Sequence, residues 1–322
     1  METRNIPLEI AQLVGQPINL QLPVPYELAA IADVFTANPG DKFWRCATME
    51  STADVILTID ANGKITTVKR SPIADAQLTF TGLNSKLEYV LVDDVLNSVD
   101  VDVLARRKES ITRGMDKTEL KILLDAILNM TSGYLPGVNP FEQTVASTDD
   151  LFDVIMGMKH QVEDYGDQFV LLCGSTVKEK IDTYEKDNVA TFNYRIGLSE
   201  KLRELGIEVV KVFGQVAYDN GESGQALMDA KKMILVAKNS RIAEGKPVKF
   251  VRRKISPDIA KLMGCEVDSA QRALVVNPTP VPIDFSGTTW NTLAYGIYGY
   301  ESIVMTITNP KSICIADATV IL

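Results

Sequence analysis

Residues 295–322 read YGIYGYESIVMTITNPKSICIADATVIL. Two runs rich in β-branched and aromatic residues flank the step Asn309-Pro310. NTLAYGIYGYESIVMTIT and KSICIADATVIL read as strands on either side of it. The first run carries one acid, Glu301. The second continues as strand to Leu322, without a charged tail. RALVV at 272–276 and NTLAY at 291–295 add further strand ahead of it.

Upstream, from residue 147, the pattern alternates helix and strand. Ser147 and Thr148 are placed to cap the helix DDLFDVIMGMKHQVED, and QFVLLCG follows as a strand buried on both faces. STVKEKIDTYEKD and SEKLRELG read as helices, the latter closed by Gly206. IEVVKVFG and KKMILVAK are two more buried-type strands. ISPDIAKLMG has Ser256 as cap, Pro257 at the first helical position and Gly264 after the end.

Before residue 147 the chain is built differently. VDDVLNSVDVDVLARRKESI sets Asp93, Asp94, Asp100 and Asp102 ahead of Arg106, Arg107 and Lys108, an order that complements a helix dipole. Gly114 is expected to interrupt this helix. Asp116-Lys117-Thr118-Glu119 has the spacing of a capping box that restarts it. Leu120, Leu123, Leu124, Ile127 and Leu128 then share one apolar face. Earlier still, residues 52–82 alternate as strand on both sides of Asn62-Gly63, a pair that accepts positive φ and marks a hairpin. Ala76 to Phe80 would extend or flank that hairpin. Lys64, Lys69 and Arg70 read as solubilising edge charges.

Residues 1–45 carry Pro7, Pro17, Pro23, Pro25 and Pro39, so little regular helix or central strand is expected there. Yet Ile6, Leu8, Ile10, Leu13, Val14, Ile18, Leu20, Leu22 and Val24 are too apolar for a solvated tail. The segment reads as an extended arm lying on protein surface, either its own domain's or a neighbour's.

The 322 residues suffice for two domains, or for one domain with a large excursion. The hydrophobic and charged fractions, 46% and 23%, are those of a globular chain. No apolar run approaches about 18 residues, so no transmembrane helix is expected. No basic region precedes an apolar core at the start, so no secretory leader is expected. Cys46, Cys173, Cys265 and Cys314 stand far apart, as free thiols in a reducing compartment would. A net charge of −9 argues against nucleic-acid binding over the whole surface.

Candidate chemistry is sparse. The single histidine, His160, has no second histidine or clustered cysteine to share a metal with, and reads as a helix-surface or packed side chain. LLCGSTVKEK is a strand, a glycine turn and a helix, which in principle cradles a phosphate. It lacks both the Walker and the GxGxxG spacing. Cys173 there reads as a core thiol. DNGESGQALMD (219–229) lacks the closing glutamate of a calcium loop. Asp93-Asp94 and Asp149-Asp150 sit at helix starts, where capping accounts for them. No catalytic, cofactor-binding or metal-ligating residue is assigned, and no cofactor is expected.

The order of parts resembles the major capsid proteins of tailed bacteriophages, a fold shared with encapsulin shells. The resemblance covers essentially the whole chain through architecture. Its most specific piece is YGYESIVMTITNPKSICIADAT, similar to the family's closing strands, with Glu301, Asn309 and Pro310 at matching places. QFVLLCGSTVKEKIDTYEKD is similar to the axial-domain strand and helix. The resemblance implies an α+β fold in five parts. These are an N-terminal arm (1–45), an extended β-hairpin loop (46–92) and a peripheral domain with a spine helix (93–165). An axial α/β domain (166–275) and C-terminal strands returning to the peripheral domain (276–322) complete it.

It further implies a structural protein, not an enzyme, that self-assembles into hexamers and pentamers of an icosahedral shell around double-stranded DNA. A procapsid assembled in the host cytoplasm would then mature to the virion capsid. The implied partners are its own copies, a scaffolding protein, a portal and a decoration protein. DNA would be enclosed without sequence-specific binding, and no membrane is involved. An encapsulin-like shell and a cytosolic α/β enzyme using the turn after QFVLLC are the alternatives.

Overall fold

The computed structural model describes residues 25–48, 56–59, 65–69, 74–85, 87–91, 102–130, 140–187, 197–217, 224–240, 245–256, 258, 271–276, 281–283 and 292–322. A short helix, Tyr26–Ile31 (α1), runs straight into the strand Ala32–Ala37 (β1). Four strands follow as a nested ribbon: Phe43–Thr48 (β2), Ile56–Ile59 (β3), Ile65–Lys69 (β4) and Ala74–Thr79 (β5). Thr81–Asn84 (β6) and Glu88–Leu91 (β7) precede the helix Asp102–Leu128 (α2), whose 27 residues span about 40 Å.

The α/β section then comprises Phe141–Gln143 (β8), Leu151–Val162 (α3), Gly166–Cys173 (β9), Ser175–Asp187 (α4), Leu198–Glu204 (α5) and Ile207–Lys211 (β10). A small hairpin, Gln215–Ala217 (β11) and Gly224–Ala226 (β12), leads to Lys232–Ser240 (β13). Val248–Arg253 (β14), Arg272–Val276 (β15), Val281–Ile283 (β16) and Thr292–Ile307 (β17) follow. A 3-10 turn at Pro310–Ser312 leads to Ile313–Asp317 (β18).

Two sheets organise these elements. In the first, the 16-residue β17 is the axis. Ile303 pairs with Arg252 of β14 and also with Thr81 of β6, so those strands lie on opposite edges. β14, β15 and β16 succeed one another along one edge of β17, and β6 and β7 along the other. β1 lies outside β14, parallel to it. The second sheet has the order β10-β9-β13-β18-β8.

Alternation splits that second sheet between two cores. Val170, Leu172, Ile234, Val236 and Ile313 face α1, the apolar stripe of α2 and the first sheet. Phe169, Leu171, Cys173, Met233, Leu235 and Cys314 face α3, α4 and α5. A strand covered on both sides needs apolar residues at every position, which is why QFVLLC shows no alternation.

The structure departs from the sequence expectations at four places. First, α2 runs through Gly114 unbroken. Thr118 donates its hydroxyl to the Gly114 carbonyl, and Ile111 and Met115 are buried on either side. That packing outweighs the roughly 1 kcal/mol by which an interior glycine weakens a helix. Second, residues 26–37 of the expected arm belong to the body. Leu28 and Ile31 are 0% exposed, and the regular segment lies between Pro25 and Pro39 at a sheet edge, where proline is least disruptive.

Third, strand ends at Asp317 rather than continuing to Leu322. Asp317 Oδ1 accepts the N–H and the hydroxyl of Thr319, and Ile321 and Leu322 donate back to the Ala318 carbonyl. Fourth, residues 146–149 close as a turn, with the Ala146 N–H on Asp149 Oδ2, so α3 begins after Asp150 rather than after Ser147 or Thr148. β8 and α3 belong with the second sheet, β14 and β15 with the first, and β18 leaves β17 to join β13. Asn62-Gly63, Asp93, Asp94, the 219–223 part of the acidic loop and most of ISPDIAKLMG lie outside the described residues.

Removing residues 1–45 deletes Leu28 and Ile31, each 0% exposed and worth roughly 2–5 kcal/mol as a buried side chain. Chemical denaturation is expected to show loss of the cooperative transition for that deletion.

Candidate functional site

Where α2 crosses the first sheet, a set of charged side chains is buried. Arg252 of β14 is 0% exposed and forks onto Glu119 of α2, Nε to Oε1 at 2.9 Å and Nη2 to Oε2 at 2.6 Å. Arg272 of β15 donates Nε to Glu301 Oε2 at 2.6 Å and Nη1 to Asp116 Oδ1 at 2.8 Å. Its Nη1 also reaches the Thr112 carbonyl, and its Nη2 lies 3.3 Å from Glu119 Oε1 as an ion pair. One helix is thereby tied to three strands through two arginines.

Local packing makes this approach possible. Gly299 of β17 faces α2, and a Cβ there would collide with the Met115 sulfur. With no side chain at 299, the helix comes close enough for the fork at Glu119 to reach Arg252. Asp116 and Glu119 therefore serve in the ion cluster, not as a capping box. A helix that needs no restart at Gly114 leaves their carboxylates free to turn toward the sheet.

The cluster is electrically unbalanced: three carboxylates face two guanidiniums. Among the described residues, Glu301 Oε1 and Arg272 Nη2 have no hydrogen-bond partner. Burial, and secondarily the Glu119 charge, push the Glu301 carboxyl up to about 7, more than the neighbouring Arg272 and Arg252 pull it down. Asp116 is also raised, by burial first. Burial alone would lower Arg272, yet Glu301, Glu119 and Asp116 together hold it above its ordinary value.

The residues singled out by sequence are dispersed. His160 is exposed on α3 beside Glu163, 3.2 Å away. Cys173 is buried, with its thiol pushed up to about 12 by desolvation, the reverse of an activated nucleophile. Cys314 is buried and raised likewise. The turn after QFVLLC is filled by the protein itself: the N–H groups of Thr176 and Val177 both donate to the Ala230 carbonyl. Gly174 is required there because a Cβ would collide with the Asp229 and Ala230 carbonyls. The amides that would hold a phosphate are thus spoken for. Asn309 and Pro310 are buried, and adjacent Thr308 anchors the turn with two bonds to the Pro247 carbonyl.

Sequence reasoning missed Arg252 and Arg272. Their signal was available: KFVRR and QRALVV place a guanidinium inside or at the start of otherwise apolar strands, where a charge persists only if paired.

By sequence, no protein-family profile and no curated protein matches this chain. Solved structures do match in fold. A virus-like particle subunit from Pyrococcus furiosus is 13% identical, with 97% of this chain and 99% of that one covered at a TM-score of 0.52. A phage-related protein from Bordetella bronchiseptica is 11% identical over 99% and 98%, at 0.50. The capsid of cyanophage P-SCSP1u gives 13% identity over 89% and 86%, at 0.48.

Stability should carry the imprint of Glu301. Its folded value lies above that of an unfolded glutamate, so the folded state binds more protons between the two values and loses stability as pH rises through about 7. Going from about pH 8 down to about pH 5.5 is expected to stabilise the protein by about 2 kcal/mol through this group. Glu301→Gln is expected to flatten that dependence in urea titrations, and an unchanged slope would locate the titration elsewhere. Over at least 97% of its length the chain shares the α+β fold of the virus-like particle subunit and the phage-related protein, the tailed-phage capsid fold.

Proposed function

We propose that this chain is a shell-forming subunit of the tailed-phage capsid type, a major capsid protein whose copies assemble as hexamers and pentamers around double-stranded DNA. The observation that carries the proposal is the likeness over 97% of this chain and 99% of a virus-like particle subunit, at a TM-score of 0.52. In the capsid vocabulary, α2 takes the part of the spine helix and the first sheet that of the peripheral domain. The β2–β5 ribbon is the extended loop and the second sheet the axial domain.

Physical features of the chain support this. Among the described residues, β3 and β4 pair only with each other. A free two-stranded ribbon is marginal in water, so a ribbon with Ile56, Leu57, Ile59, Ile65 and Val68 gains from lying on another surface. A closed shell supplies such surfaces, since each subunit's exposed faces become interfaces repeated by symmetry. Contacts that are weak singly become strong when each subunit makes many. The net charge of −9 keeps the shell from gripping enclosed DNA. Scaffolding, portal and decoration proteins are the partners such a shell requires, with assembly in the host cytoplasm and the finished virion as its place.

The test is negative-stain electron microscopy of the purified protein together with size-exclusion chromatography. Closed particles, tubes or capsomer rings are the expected result. Nucleic acid recovered from particles made in the native context supports the capsid, and a co-purifying enzyme cargo would identify an encapsulin-like compartment instead. A monomer or dimer that persists at high concentration would overturn the shell reading.

A further inference from the structure

Arg272 is shared between helix and sheet. Its Nε donates to Glu301 Oε2 of β17, while its Nη1 donates to Asp116 Oδ1 and to the Thr112 carbonyl of α2. Glu301 is fully buried, and its second oxygen, Oε1, has no hydrogen-bond partner. Among the described residues, the charged groups that face it are Asp116 and Glu119 from α2, Arg252 from β14 and Arg272 from β15. On its remaining side β6 sets the uncharged Leu83 opposite it.

Three carboxylates thus share two guanidiniums, and the set is neutral only when one carboxyl carries a proton. Glu301 is the member placed to carry it. Both oxygens of Glu119 are engaged by Arg252, and Asp116 is partly open to water. A neutral hydroxyl without a partner costs less in the interior than a charged oxygen without one.

The consequence falls unevenly on α2. Beyond the cluster, Leu120, Leu123, Leu124 and Ile127 anchor the helix in the core between the two sheets. Ahead of it, Ile111 and Met115 are the buried apolar side chains among the described residues, seated over Gly299. Glu109, Ser110 and Arg113 are exposed. The Arg107–Glu88 pair, at 3.2 Å with Arg107 half exposed, contributes little. The first half of the helix therefore depends on the grip of Arg272 at Thr112 and Asp116. An ionised Glu301 draws that guanidinium toward β17 and repels Glu119, whereas a neutral Glu301 leaves it to α2.

We propose that Glu301 is a proton-operated latch: protonated, it lets Arg272 hold the first half of α2, residues 102–116, against β17, and on losing its proton it releases that half while the second half stays docked. The latch belongs to the single subunit and stands independently of the shell reading. The closed form binds the proton, so closure is favoured below about pH 7 and weakens above it.

Hydrogen–deuterium exchange read by mass spectrometry, on the full chain at pH 6 and pH 8 and corrected for the intrinsic exchange rate at each, resolves opening segment by segment. Peptides from 102–116 are expected to lose about tenfold in protection at pH 8. That is what one proton allows when its group falls from about 7 in the closed form to an ordinary glutamate value in the open one. Peptides from 119–128 and from β9 are expected to change by less than about threefold, since apolar packing rather than Arg272 holds them. Glu301→Gln and Asp116→Asn each balance the cluster without a proton, and both are expected to keep 102–116 closed at pH 8. Asp116 is partly exposed, so its variant serves where Glu301→Gln does not fold. An equal loss across all peptides would make Glu301 a contributor to overall stability alone and overturn the latch. Unchanged protection in 102–116, or a pH dependence that survives in a folded variant, overturns it as well.

Discussion

The interaction on which the rest of this structure depends is the buried fork of Arg252 on Glu119, with Arg272 and Glu301 beside it. Apolar packing between a long helix and a sheet is permissive: Leu120, Leu123, Leu124 and Ile127 tolerate small shifts along the helix axis. A bidentate ion pair at 0% exposure is not permissive, because any slip leaves charge in the interior without its partner. The cluster therefore fixes where α2 sits on β14, β15 and β17. Because Glu301 lies in β17, the same contacts hold the strand with which five others pair.

Pinning α2 at that point defines the two-core arrangement. The C-terminal half of the helix contributes its apolar stripe to the core shared by both sheets. The second sheet is sealed on its far side by α3, α4 and α5. Among the described residues, Trp44 of β2 and Leu78 of β5 pack on a smaller third cluster of Ala37, Val251 and Val304, which ties the base of the ribbon to the first sheet.

The sites that resembled chemistry are occupied by structure. At Gly174 the close approach of the Asp229–Ala230 carbonyls puts a backbone oxygen where an anion would sit. Cys173 lies among apolar neighbours that suppress its thiolate. Apolar packing on both faces of β9 accounts for the thiol, and the Thr176 and Val177 amides donating to the Ala230 carbonyl account for the turn. The unusual electrostatics are instead at the cluster beneath α2, where burial keeps Glu301 poised between its charged and neutral forms at ordinary pH.

Much of this was legible in the sequence, for physical reasons that are local. Continuous apolar runs marked the strands of the second sheet, Asn62-Gly63 predicted the antiparallel pairing of β3 with β4, and the spacing of Leu120 to Ile127 gave the buried stripe of α2. Other features depended on energies that no short segment contains. Gly114 is a helix breaker by propensity, and only the packing of Ile111 and Met115 on β17 overrides it. Pro25 and Pro39 announce irregular chain, yet the residues between them are held by the body of the fold. Glu119 fits a capping box by spacing, and it becomes a buried ion-pair partner because Arg252, distant in sequence, is brought opposite it by sheet pairing. Local propensity is set by a few neighbouring residues, whereas burial and charge pairing are set by chain segments that meet only on folding, and here the larger energies lay with the second.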